Sequence, residues 1–92
     1  MEHAPLGLIK TITEADRDKY VMHALRMIDN ASVSEDDRMY EYWSRWALWY
    51  FDTVCYSFYP KERPQLYDAL DCAVLNRDFY EAYRLVRSCL KT

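Results

Sequence analysis

Apolar side chains recur at helical spacing in four stretches of this chain, separated by short runs of Ser, Asn, Asp and Pro. Tyr20, Val21, Ala24, Leu25, Ile28 and Ala31 make the first stripe and predict a helix over residues 13–30. Thr13 with Asp16, or Thr11 with Glu14, can form its capping box, and Asn30 can stop it, since asparagine tolerates the left-handed conformation. Ser32 with Glu35, or Ser34 with Asp37, opens a second helix over 35–59, which Pro60 ends because its ring cannot continue the turn. Pro64 suits the first position of a third helix over 64–76, with Leu66, Leu70, Ala73 and Val74 as its stripe. Asp78 with Glu81 caps a fourth over 78–91, which points Phe79, Ala82, Tyr83, Val86, Cys89 and Leu90 inward. Residues 1–12 read as an N-terminal arm whose Leu6, Leu8 and Ile9 pack down. The expectation is an all-α single domain over 1–92, a small bundle of four helices with a long second one.

That second helix is the unusual part. Of the twenty residues 40–59, ten are Tyr, Trp or Phe. At about 100° per residue, one face collects Tyr40, Trp43, Trp46, Ala47, Tyr50, Phe51, Val54 and Phe58 as a core stripe. Glu41, Arg45 and Asp52 make a polar stripe, with Glu41 and Arg45 spaced to pair. Tyr42, Trp49 and Tyr56 recur every seven residues beside it, while Leu48 and Tyr59 lie on its other edge. Such a helix is either central in its fold or covered by a partner. On the second reading the Tyr42–Trp49–Tyr56 row is a binding surface, because Tyr and Trp bring rigid contact area with a polar tip. If Trp46 is core, truncating it costs about 3–5 kcal/mol; if Trp49 is a partner site, truncating it barely changes melting yet removes association.

Composition narrows the function classes. Gly7 is the single glycine and there are three prolines, which favours long helices. The net charge of −3 sits in residues 1–46, too mild for a charge-driven nucleic-acid binder or for a dense acidic mimic of DNA. Glu35, Asp36 and Asp37 fall where a helix dipole favours negative charge, and they can also guide a basic partner. Arg84, Arg87 and Lys91 line up on the last helix with Arg77 one heptad back, a stripe that compensates a helix C-terminus or holds a small anion. Cys55, Cys72 and Cys89 fit neither a disulfide framework nor a zinc knuckle and read as reduced thiols in the cytoplasm. His3 and His23 lack partners at metal-ligand spacing, and Asp68 with Asp71 reads as a solvated pair. No cofactor, metal, catalytic grouping, signal peptide or membrane span is expected.

Residues 69–90 resemble one hairpin of the tetratricopeptide type, through Asp78–Phe79 followed by Glu81–Ala82. Arg77 stands where that family prefers glycine, and no second copy precedes it. The resemblance implies a peptide-binding scaffold, as in small helical secretion chaperones.

The expected function is protein binding without catalysis. The chain reads as a small inhibitor or adaptor that docks on a larger complex, for example one made by a phage or mobile element against a host nucleic-acid-handling or defence complex. Tyr42, Trp49 and Tyr56 would make the contact, flanked by Arg45 and Asp52. Two alternatives stand beside it: a chaperone for a short peptide or secretion client, and a nucleotide or nucleic-acid binder using the basic stripe. Homo-oligomerisation would also cover the aromatic row.

Overall fold

Four helices make up most of residues 9–90, the part of the chain described by the computed structural model: α1 Glu14–Ser32, α2 Asp37–Phe58, α3 Arg63–Leu75 and α4 Phe79–Arg87. Of the arm, the described part begins at Ile9; Leu6 and Leu8, with His3, lie outside it. The helices close a ring in which α1 packs on α2 and α4, and α3 packs on α2 and α4. Val21 and Ile28, Phe51 and Val54, Leu70, and Val86 meet inside it with almost no exposure. The accessible surface is 5991 Å², against about 5,700 Å² expected for a folded chain of this mass.

The helix ends show which signals the backbone uses. Thr13 is the N-cap of α1, but its carbonyl rather than its hydroxyl accepts from the Asp16 N–H, at 3.0 Å. The helix runs past Asn30 to Ser32. Ser32 and Ser34 donate their hydroxyls to the Asp29 and Asn30 carbonyls at 2.7 and 2.8 Å, and so satisfy the end of α1 instead of opening α2. Asp36 caps α2 by accepting the Arg38 N–H at 2.8 Å. Asp78 caps α4 by accepting the Glu81 N–H at 3.2 Å, in the expected register. That helix stops at Arg87, short of residue 91, and Cys89 and Leu90 continue in a tighter turn bonded back to Val86 and Arg87.

The joint between α3 and α4 is a Schellman ending. The Asp78 N–H reaches the Ala73 carbonyl at 2.8 Å and the Arg77 N–H reaches that of Val74 at 3.1 Å. Arg77 takes the left-handed position with φ of 54°, where glycine would fit without crowding at Cβ.

α2 is 22 residues long, about 33 Å at 1.5 Å per residue, and spans nearly the whole 35 Å length of the molecule. Its buried stripe is turned towards α3 relative to the sequence expectation. Ser44, Ala47, Leu48, Phe51, Asp52, Val54 and Cys55 are buried, whereas Trp43, Trp46 and Tyr50 are half-exposed. Small side chains at 44, 47 and 55 leave room for close helix packing, which large rings at those positions would fill. Tyr40 ties α2 to α3 by donating its hydroxyl to the Val74 carbonyl at 2.5 Å. Burial pushes the Tyr40 phenol pKa up, against the opposing pull of Arg77.

Candidate binding face on the second helix

Positions 42, 49 and 56 lie seven residues apart on α2, on the side away from buried Ala47, Phe51 and Val54. Tyr42 and Trp49 are half-buried and Tyr56 is 42% exposed, so the row is not sealed inside the fold. Each ring has a different neighbour. Tyr42 stands edge-on to Trp43, with centroids 4.9 Å apart. Tyr56 lies beneath the Arg63 guanidinium, 5.1 Å from its ring centroid.

Trp49 belongs to a larger cluster. Its ring is 6.3 Å from Tyr20 of α1, 6.0 Å from Trp46 and 5.3 Å from Tyr50, the last two edge-on. Tyr20 stands edge-on to Tyr50 at 5.5 Å, and His23 packs on Tyr50 at 5.1 Å. Burial, reinforced by Tyr20, pushes the Tyr50 phenol pKa up. The indole N–H of Trp49 is buried and meets no acceptor among the described residues, which costs about 1–3 kcal/mol. Trp49 is therefore a structural ring as well as a surface one, and the expectation that its truncation leaves melting unchanged does not suit this environment. Nearby, Thr53 is fully buried and donates its hydroxyl to the Trp49 carbonyl at 2.8 Å. One turn further on, Ser57 accepts the Ile12 N–H at 3.0 Å, which brings the segment before α1 onto α2.

The charges around this face are already neutralised. Arg45 pairs with Glu41 at 3.3 Å, both exposed. Asp52, expected at the edge of the row, is only 8% exposed and accepts both prongs of Arg63, at 2.7 and 3.0 Å. That fork, chiefly through its hydrogen bond, raises the Arg63 pKa further. Asp52 is thus committed to holding the start of α3. Arg63 carries no periodic signal in the sequence, sitting between Glu62 and Pro64 in the turn. Tyr20 reads there as an ordinary core residue.

The acidic trio divides its roles. Glu35, Asp36 and Asp37 are all exposed; Asp36 caps α2 and Asp37 pairs with Arg77 at 3.3 Å. Glu35 and Asp36 border a shallow groove with Val33, Met39 and Trp43. The described members of the basic stripe divide between two places. Arg77 stacks on Tyr40 in the α2–α3 groove, whereas Arg84 and Arg87 line a separate groove with Tyr80 and Tyr83. Arg84 is forked onto Glu81 at 2.8 and 2.5 Å, and that hydrogen bond holds the Glu81 carboxyl below its usual range. Lys91 lies outside the described residues.

Among the described residues no group of three His, Cys, Asp or Glu side chains converges as a metal site, and no helix is long and apolar enough to cross a membrane. Asp68 is exposed and Asp71 half-buried on α3. No protein-family description, characterised protein or solved structure matches this chain.

Proposed function

We propose that this chain is a non-catalytic protein-binding module of the cytoplasm, a small inhibitor or adaptor that docks on a larger protein through the outer face of α2. The observation that supports it is the half-exposed ring surface of Tyr42, Trp49 and Tyr56, backed by a rigid layer of Tyr20, Trp46 and Tyr50. Aromatic side chains held in place by their neighbours lose little freedom on binding, so their contact area converts efficiently into affinity. The partner surface is apolar with hydrogen-bond acceptors for the two tyrosine hydroxyls. Glu41–Arg45 and Asp52–Arg63 satisfy each other and offer no net field to a phosphate backbone.

The test is capture of a stoichiometric partner by the tagged full chain, compared with a Tyr42→Ala/Tyr56→Ala variant. The variant is expected to melt within a few degrees of the parent and to lose the partner by tenfold or more, roughly the effect of two aromatic contacts. Undiminished capture would sink this reading.

A further inference from the structure

We propose that this chain associates head to tail with further copies of itself, the α1–α2 joint of one copy seated on the outer face of α4 in the next. Tyr80, Tyr83, Arg84 and Arg87 stand at i, i+3, i+4 and i+7 on α4, on the side opposite buried Ala82, Leu85 and Val86. They line a groove of about 580 Å³. A second groove, of about 410 Å³, lies at the α1–α2 joint beside Val33 and Glu35. Tyr80 is 80% and Val33 76% exposed, the two most exposed large apolar side chains among the described residues. Each groove therefore carries one uncovered apolar side chain.

Charge selects the occupant. Glu35 and Arg87 are exposed and make no ion pair among the described residues, whereas Asp37, Glu41 and Glu81 are each paired with an arginine. One groove thus offers an uncommitted carboxylate and the other an uncommitted guanidinium. A single copy cannot join them. Arg87 ends α4, which the 3.3 Å bond from Arg17 Nε to the Cys89 carbonyl holds beside the start of α1. Glu35 follows the far end of α1, a helix of 19 residues and about 28 Å. Between copies, Val33 covers the Tyr80 and Tyr83 rings and Glu35 meets Arg87. Burial of apolar surface supplies the affinity, and the ion pair, worth little at a surface by itself, fixes the orientation. Two different patches meet, so the contact does not close as a two-fold dimer and association proceeds as a series. One joint on one short helix covers less than the roughly 1,200 Å² of stable complexes, so the association is weak.

The experiment is sedimentation velocity of the full chain from about 10 µM to about 500 µM, where the average mass should climb past that of a dimer. Glu35→Lys and Arg87→Glu change exposed, unpaired positions and should melt as the parent does. Each alone should weaken association about tenfold or more, because like charges then face each other. Mixing the two variants, or combining both substitutions in one chain, should restore association, since each altered groove then meets a complementary one. Tyr42→Ala/Tyr56→Ala should associate as the parent does, which separates this contact from the outer face of α2. A parent chain that stays monomeric across the range would overturn the proposal without any variant. So would a closed dimer indifferent to both charge reversals, a mixture that fails to recover, or association lost with Tyr42 and Tyr56.

Discussion

The Arg77 guanidinium lies 3.9 Å from the centroid of the Tyr40 ring, so a residue forced into the left-handed backbone region also clamps α2 with its side chain. The two effects oppose each other. Left-handed φ costs a non-glycine residue about 1–2 kcal/mol, while a partly exposed cation–π contact returns about 0.5–1 kcal/mol and the exposed pair with Asp37 little more. Arg77→Gly should therefore stay within about 1 kcal/mol of the parent in urea unfolding, with Arg77→Ala less stable than Arg77→Gly by about 1 kcal/mol. Equal stability of the two variants would show that the backbone carries no strain there.

Asp52 and Arg63 make the clearest ion pair among the described residues, with one partner buried and the other about a third exposed. Arg63→Met keeps the stem but strands the carboxylate. A cost of about 1–3 kcal/mol is expected, below the range for a fully buried pair because water still reaches Arg63. Arg63→Met with Asp52→Leu should recover most of that loss, and a double-mutant cycle by chemical denaturation measures the coupling.

Ring truncation along α2 should give an uneven profile. Trp49→Ala removes contacts to Tyr20, Trp46 and Tyr50 and should cost about 2–3 kcal/mol, less than a wholly buried tryptophan. Tyr56→Ala, at an exposed position, should cost under about 1 kcal/mol. Thermal melts of both variants decide this, and similar losses would contradict the packing described.

Because the charges beside the proposed binding face are internally paired, partner affinity should respond weakly to salt. A change in Kd of less than about threefold between 0.05 and 0.5 M salt is expected, where contacts to several phosphates would lose orders of magnitude. Titration calorimetry or fluorescence anisotropy at the two ionic strengths provides the comparison.

Periodicity and punctuation were enough to read the four helices and their order, and Pro60, Pro64 and Asp78 marked the two later joints because they act through local sterics and hydrogen bonds. The orientation of α2 was less legible. A helical wheel ranks faces by apolarity, and α2 carries rings on nearly all sides, so the buried face was decided by which side chains are small enough for α3 to approach. The capping roles of Ser32 and Ser34 were ambiguous for a similar reason: each stands between two helix ends and can serve either. Arg17 and Arg63 gave no sequence signal, since both act on residues brought near only by tertiary packing. The regular spacing of Tyr42, Trp49 and Tyr56 was readable, but their unequal surroundings were not.

Ile12 is bonded to Ser57, and Arg17 to Cys89, so the beginning and end of the described chain converge at the same pole of the molecule, beside the last turn of α2. The Glu35–Asp37 corner and Tyr42 belong to the opposite pole, where α2 begins. The chain thus enters the described fold at Ile9 and leaves it at Leu90 on one side, and the far half of the ring-bearing helix stands clear of both points.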